Sequence, residues 1–153
     1  MWAGLYNSKA FLDNLSKEIT RFLVTPGREV QPLAESSFDA WIKLYRRDTN
    51  SDNSQMSYYL KGELVSLLLD LLIRDRTQNQ RSLDDVMRQM WEKFGKTEIG
   101  FTENQLKEVI ESVAERDLTD FFQDYLYTTQ ELPFNDYLEP FGLRLQAVPE
   151  DNP

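Results

Sequence analysis

The aliphatic run from Leu64 to Ile73 most constrains the fold of this chain. Only Ser66 and Asp70 interrupt it with polar side chains, and a helix that is apolar on nearly every side must be enclosed by other helices. We therefore expect a central helix over residues 57–75. The run is far shorter than the ~20 residues that span a bilayer, so it predicts a core helix of a soluble chain.

One narrow stripe of this helix is polar. At ~100° per residue, five residues share one side: Tyr59, Gly62, Glu63, Ser66 and Asp70. Gly62 costs a helix roughly 1 kcal/mol relative to Ala, so we expect another backbone or a ligand to approach it closely. From periodicity alone, a solvated face is the simpler explanation of the stripe.

Composition excludes several kinds of function. The chain has 153 residues, about one domain, and contains neither cysteine nor histidine. This rules out a disulfide framework, a thiolate nucleophile and the commonest metal ligand and general base. The net charge of -9 repels phosphate backbones and anionic lipid headgroups, so neither nucleic acid nor a membrane is an expected partner. The sequence does not begin with the pattern of a signal peptide, and it does not indicate the native compartment.

Helix start and stop signals recur along the chain. Ser8 can cap a first amphipathic helix that ends at residues 25–27, and Pro133 suits the start of a last short helix that Gly142 ends. Two capping boxes are predicted between them, Ser82 with Asp85 and Thr102 with Gln105. Together these signals predict an all-α bundle of six or seven helices around the central one.

The remaining segments are less regular. Residues 46–55 have the composition of a loop, with Arg46 and Arg47 as a small basic spot. The alternation over residues 143–146 is compatible with a short terminal strand. We expect residues 1–148 to form the helical domain and residues 149–153 to be a tail or linker.

Aromatic residues are expected mainly in the core. A short helix starting at Ser36 or Ser37 is predicted to bury the apolar residues of the following segment: Phe38, Trp41, Ile42, Leu44 and Tyr45. Trp91 lies at helical spacing in the predicted helix that begins after Ser82, and it is also expected in the core. These aromatic residues therefore do not predict a platform for stacking nucleic-acid bases.

Few residues suggest chemistry. No glycine-rich phosphate loop, H-E-x-x-H, C-x-x-C or G-x-S-x-G motif occurs. The paired carboxylates Asp84-Asp85 and Asp117 with Asp120 lie at helix starts, where capping explains them better than acid–base catalysis. Tyr59, in a Y-x-K-G motif, remains: its phenol stays protonated at neutral pH and can donate to an oxyanion. That role needs a metal or a second donor, which this chain does not supply.

Several long motifs occur in this chain in the same order as in members of one enzyme family. They are Thr-Pro-Gly-Arg at 25–28, Leu-Ala-Glu-Ser-Ser-Phe-Asp-Ala-Trp-Ile-Lys-Leu-Tyr at 33–45, Ser-Tyr-Tyr-Leu-Lys-Gly at 57–62, Ser-Leu-Asp-Asp-Val-Met at 82–87, Gly-Phe-Thr at 100–102 and Gly-Leu-Arg-Leu at 142–145. This pattern resembles the later half of the catalytic region in the glycyl aminopeptidases, gluzincin-type zinc metallopeptidases that usually also contain a PDZ-like domain. The resemblance implies that residues 1–148 are the C-terminal helical subdomain of a catalytic domain.

The resemblance also implies an activity and its partners. The zinc ligands and the general-base glutamate would lie before residue 1, in a zinc-binding lobe, so this chain alone would lack zinc and activity. The substrate would be a peptide with a free N-terminus. By similarity to related Y-x-K-G enzymes, Tyr59 would stabilise the oxyanion formed at the zinc-polarised carbonyl. Tyr58 is expected to pack, Lys61 to pair with a carboxylate as a clamp, and Gly62 to leave room for substrate or for the zinc lobe.

Two other functions stay open. The chain could be a non-catalytic helical interaction module that buries an apolar face against a partner or a second copy. A severed subdomain would instead self-associate through the surface that met its missing lobe. An independent enzyme using carboxylates alone ranks last, because helix caps and solvated faces account for the acidic residues.

Overall fold

The computed structural model of the chain describes residues 7–46 and 48–148, and this part is all-α, as predicted. Its helices are α1 (Ser8–Val24), α2 (Leu33–Phe38), α3 (Ser51–Ser54), α4 (Tyr58–Arg76), α5 (Leu83–Met90), α6 (Glu103–Ala114), α7 (Thr119–Leu126) and α8 (Phe134–Leu138). Short 3₁₀ turns cover Pro26–Glu29 and Glu139–Phe141, and Trp91–Gly95 forms a π-helical turn. Helix α4 is the predicted central helix.

The chain divides into two compact units. The first unit contains residues up to 65 together with 120–132, and the second contains residues 66–119 together with those after 132. Helix α4 therefore starts in the first unit and ends in the second. The predicted tail at 149–153 lies outside the described residues.

In the first unit, α1 and the start of α4 supply much of the core. Ile19 and Phe22 from α1, and Leu60 and Leu64 from α4, are almost fully buried. The cap of α1 is Asn7, whose side-chain oxygen accepts from the Ala10 amide at 2.8 Å. The cap thus lies one residue before the predicted Ser8.

Helix α2 differs from its prediction. It begins at Leu33, directly after Pro32, and ends at Phe38, so the predicted start at Ser36 or Ser37 is wrong. Pro32 is extended, with φ -61 and ψ 156, a conformation that suits the residue before a helix. Ser36 is buried and donates its hydroxyl hydrogen to the Met56 carbonyl. A tertiary contact therefore uses the side chain that the sequence pattern assigned to capping.

A close backbone contact requires glycine at one position of the first unit. A Cβ at Gly27 would overlap the backbone carbonyl of Gln55. Gly62 is different, because its nearest neighbour for an added Cβ, outside its own helix, is the Leu33 side chain at 3.9 Å. The described residues thus provide no close backbone at Gly62, where one was expected, and do provide one at Gly27.

The loop prediction for residues 46–55 is only partly right. Ser51–Ser54 form the short helix α3, and Arg47 lies outside the described residues. The Ser51 hydroxyl accepts from the Asp48 amide at 2.8 Å and lies 3.0 Å from the Asp48 carboxylate, to which it donates. This local contact organises a segment whose composition alone indicates a loop.

The second unit follows its sequence signals closely. Both predicted capping boxes are present, at Ser82 with Asp85 before α5 and at Thr102 with Gln105 before α6. The apolar sides of these helices are buried at Val86 and Val113. The Asp70 side chain accepts from the Leu83 amide at 2.8 Å and from the Arg74 side chain at 2.7 Å, which joins the end of α4 to the start of α5.

The terminal strand does not form. No strand occurs in the described residues, and the segment after Gly142 is irregular. Gly142 itself has φ +72, which favours glycine at this stop. The Asn135 side-chain amide accepts from the Leu145 amide at 2.7 Å and donates to the Leu145 carbonyl at 3.1 Å. The backbone hydrogen bonds of Leu145, in the alternating segment, are therefore made by the Asn135 side chain and not by a second strand.

Candidate functional site

Tyr59 lies in the first turn of α4 on the polar stripe predicted from the sequence. Its side chain is 63% exposed, and Glu63 and Ser66 on the same stripe are also exposed. The leucines on the opposite side, Leu60, Leu64 and Leu68, are buried. The prediction of one polar and one apolar side for this helix is therefore confirmed.

Three tyrosine hydroxyls meet at this point and form a hydroxyl cluster of Tyr45, Tyr58 and Tyr59. The Tyr45 oxygen lies 3.3 Å from the Tyr59 oxygen and 3.4 Å from the Tyr58 oxygen. The Tyr58 and Tyr59 rings are also in contact, with centroids 4.1 Å apart. Tyr58 packs through its ring, as expected, and in addition brings its hydroxyl to the cluster.

Hydrogen bonding shifts the pKa values of Tyr58 and Tyr59 in opposite directions. The pKa of Tyr59 is lowered, first by the hydrogen bond with Tyr45 and then by that with Tyr58. The pKa of Tyr58 is raised, chiefly by its hydrogen bond with Tyr45 and then by that with Tyr59. Tyr59 is therefore the hydroxyl at which negative charge is favoured relative to Tyr58. A more acidic phenol is a stronger hydrogen-bond donor to an anionic oxygen.

Buried polar side chains fix the backbone that leads into Tyr59. The Gln31 side-chain oxygen accepts from the Met56 amide at 3.0 Å, and the Ser36 hydroxyl donates to the Met56 carbonyl. All three residues are buried. Since Met56 lies just before α4, these two contacts hold the backbone that leads into the helix and to Tyr59. Nothing in the neighbouring sequence marks Gln31 for this role, because its partner, Met56, is distant in the sequence.

Lys61 lies on the buried side of α4. Its side chain is fully buried and donates to the Thr128 carbonyl at 3.3 Å. Burial lowers the pKa of Lys61, and the negative charge of Glu131 opposes this effect. We expected a clamp to a carboxylate. The observed hydrogen-bond acceptor is a backbone carbonyl, with Glu131 acting at longer range.

The aromatic residues predicted for the core between α2 and α3 are exposed instead. Phe38 is 88% exposed, Trp41 79% and Ile42 70%. We refer to these three side chains and Tyr45 as the aromatic surface; within it, the Trp41 and Tyr45 ring centroids lie 5.0 Å apart. Helix α2 ends at Phe38 and residues 39–45 form turns, so the apolar spacing of this segment does not indicate burial. Trp91, on the π-helical turn of the second unit, is also exposed, contrary to prediction.

A cavity of about 510 Å³ lies in the first unit beside the start of α4. Its lining includes Arg21, Leu44, Ser51, Gln55 and Ser57. The Gln55 amide donates to the Ser51 hydroxyl at 3.0 Å, and its buried carbonyl oxygen has no hydrogen-bond partner among the described residues.

The paired carboxylates lie at helix starts, as expected. Asp85 completes the capping box of α5, and Asp117 accepts from the Thr119 amide at 2.8 Å before α7. That hydrogen bond is the main cause of the lowered pKa of Asp117. Within residues 7–46 and 48–148, no group of three or more acidic side chains could hold a metal ion. In the same part of the chain, no helix has both the length and the apolarity to cross a bilayer.

Comparison with known proteins agrees with the motifs. Residues 1–65 match the family model of the M61 glycyl aminopeptidases, a range that includes Tyr45, Tyr58 and Tyr59. The crystal structure of the aminopeptidase N family protein from Idiomarina loihiensis is similar, with 35% sequence identity and a TM-score of 0.84. The similarity covers 91% of this chain and 24% of that protein, so this chain spans about a quarter of its length. No curated protein matches the chain.

Proposed function

We propose that this chain, which belongs to the glycyl aminopeptidase family, is the helical part of a peptidase catalytic region and supplies Tyr59 as a hydrogen-bond donor to the oxyanion of peptide-bond hydrolysis. The observation that carries the proposal is the Tyr59 hydroxyl, exposed at the start of α4 within the family-matched residues. The substrate is a peptide with a free N-terminus. The partner of the helical part is the zinc-binding lobe of the same enzyme.

The chemistry assigned to this chain is limited to its own side chains. A neutral phenol can donate to an oxyanion without carrying charge itself, and its effect is largest where the donor is already in place. Gln31 and Ser36, through Met56, support this preorganisation of Tyr59. The described residues do not fit a zinc site, so the metal would be bound by residues outside this sequence.

The polar stripe of α4 supports a site that opens toward a ligand. Gly62 lies one turn after Tyr59 and has room for a Cβ in this chain. Its small size leaves space on the same side of α4 as Tyr59 for substrate or for the zinc-binding lobe. This explains a mid-helix glycine for which the described residues supply no packing reason.

The test is Tyr59→Phe in the full-length enzyme. Loss of one oxyanion donor lowers kcat by about a hundredfold or more, while KM changes little because the ground state does not use the bond. Tyr127→Phe, at an exposed tyrosine outside the hydroxyl cluster, is the matched control and keeps the parental rate. Parental kcat in Tyr59→Phe would remove Tyr59 from the mechanism.

The aromatic surface favours a second candidate, a helical interaction module. Large exposed apolar side chains close together in the sequence, such as Phe38, Trp41 and Ile42, are typical of protein-binding surfaces. Sedimentation of the isolated chain separates the two functions. A defined dimer that Trp41→Ser dissociates supports the module. Nonspecific self-association that the remainder of the enzyme suppresses supports the severed subdomain.

A further inference from the structure

We propose that Tyr45 is a positioning residue for Tyr59: its hydroxyl donates a hydrogen bond to the Tyr59 oxygen and so leaves the Tyr59 proton available to a bound oxyanion. This inference rests on the function proposed for Tyr59 and deepens it. It adds Tyr45, a residue of the segment between α2 and α3 that the helical spacing predicted to be in the core.

The direction of donation decides whether Tyr59 can act. Each phenol hydroxyl carries one hydrogen and can also accept. The Tyr45 oxygen lies 3.3 Å from that of Tyr59, close enough for one hydrogen bond between them. If Tyr59 donated to Tyr45, it would have no hydrogen left for a ligand. If Tyr45 donates, the Tyr59 oxygen accepts and its own hydrogen can point outward from the exposed side of α4.

The second arrangement is the one that we assign. The hydrogen bonds that Tyr59 makes with Tyr45 and Tyr58 lower its pKa, because they stabilise its ionised oxygen as an acceptor. These two tyrosines are the titratable groups that bear on Tyr59 in the described part of the chain. A hydroxyl whose oxygen accepts a hydrogen bond also becomes a better donor through its own hydrogen, because chains of hydrogen bonds polarise one another.

The Tyr45 ring is held in place for this role. It lies against Trp41 with centroids 5.0 Å apart, and the Tyr45 amide donates to the Ala40 carbonyl at 3.0 Å. Just before Tyr45, the Lys43 ammonium binds the carboxylates of Glu35 and Asp39 at 2.7 Å and 2.8 Å. These contacts fix the turn that follows α2. Ser36 of α2 also donates to the Met56 carbonyl. This hydrogen bond connects the helix that precedes the turn to the residues just before α4.

The first experiment uses the isolated chain and needs no activity. Tyrosine ring carbons are labelled, the Tyr59 signal is assigned with Tyr59→Phe, and its pKa is followed by NMR. Tyr45→Phe keeps the ring against Trp41 and removes only the hydroxyl. The pKa of Tyr59 is expected to rise toward its ordinary value of 10.0 in this variant and to stay unchanged in Tyr127→Phe. An unchanged pKa in Tyr45→Phe would overturn the inference.

The second experiment uses the full-length enzyme and a double-mutant cycle. Tyr45→Phe is expected to lower kcat about three- to tenfold, the effect of one neutral hydrogen bond, with KM unchanged. In the Tyr59→Phe background it should cause no further loss, since Tyr45 acts through Tyr59. An equal loss in both backgrounds would show that Tyr45 acts through the fold and would overturn the positioning role.

The two proposals fail in different ways. Parental kcat in Tyr59→Phe removes the proposed function, and with it any catalytic role for Tyr45. A lowered kcat in Tyr59→Phe together with a parental kcat in Tyr45→Phe overturns only the role of Tyr45. Thermal unfolding of both variants checks that the exposed hydroxyls contribute little to stability.

Discussion

The buried polar side chains of the first unit bond to backbone that is distant in the sequence, whereas the capping side chains of the second unit bond locally. Gln31, Ser36 and Lys61 are buried in the first unit, and each bonds to backbone far away in the sequence. In the second unit the capping side chains of Ser82 and Thr102 bond within their own helical turns. The first unit therefore depends on tertiary contacts to present Tyr59, and the second depends on local ones to form a scaffold.

The largest effect is expected at Gly27 of the first unit. Gly27→Ala would force a Cβ into the Gln55 backbone, so the chain must shift or unfold, at a cost of roughly 3 kcal/mol or more. Chemical unfolding of the isolated chain measures it. Gly100→Ala is the matched control, because a Cβ there meets nothing within 4 Å. Equal stability of the two variants would show that this backbone contact does not hold the first unit together.

Lys61 tests whether a buried polar side chain stabilises the first unit. Lys61→Ala removes a fully buried stem, at a cost of about 2–3 kcal/mol; both this variant and Lys61→Met leave the Thr128 carbonyl without its donor. Lys61→Met keeps most of the volume and removes the desolvated charge, so it is expected to cost about 1 kcal/mol or less. Equal losses in unfolding experiments on the two variants would contradict the assignment of stability to the stem.

The same lysine predicts a pH dependence. Because burial lowers the pKa of Lys61 in the folded chain from its ordinary 10.5, the unfolded chain binds more protons between the folded and ordinary pKa values. The contribution of Lys61 to the free energy of unfolding therefore rises as pH increases through that window. The difference in stability between the wild type and Lys61→Met, measured across this range, should shift in favour of the wild type as pH rises. A constant difference would argue against a desolvated charge.

Helix caps should matter more modestly in the second unit. Ser82→Ala removes the hydroxyl that accepts from the Asp84 amide at 3.2 Å and is expected to cost about 1 kcal/mol. Asp84→Ala, next to the cap, is the control and should change the unfolding free energy by less. A larger loss at Asp84 than at Ser82 would mean that the capping box is not what starts α5.

Gly62 gives the smallest effect, and it is a gain. Gly62→Ala meets only the Leu33 side chain at ordinary contact distance, so the isolated chain is expected to gain roughly 0.5–1 kcal/mol from helix propensity. The same substitution in the full-length enzyme should reduce activity if this space serves substrate or the zinc-binding lobe. Destabilisation of the isolated chain would show that Gly62 is needed by the fold itself.

The candidate site was only partly predictable. Tyr59, its exposed stripe and the buried leucines opposite follow from the 3.6-residue period of one long helix. Tyr45 could not be joined to Tyr59 in the same way, because its hydroxyl reaches the cluster through a turn that interrupts helical periodicity. Gln31 carries no local signal, since its partner is the Met56 amide, distant in the sequence.

The sequence by itself determined the helices and most of their ends. Apolar periodicity placed α4, and the boxes at Ser82 and Thr102 placed α5 and α6, because those interactions are made between residues a few positions apart. Only the tertiary structure decided that Trp41 is exposed, that Lys61 binds a backbone carbonyl and that three tyrosine hydroxyls meet. These outcomes depend on which distant segments share a surface, and no local pattern of residue types encodes that.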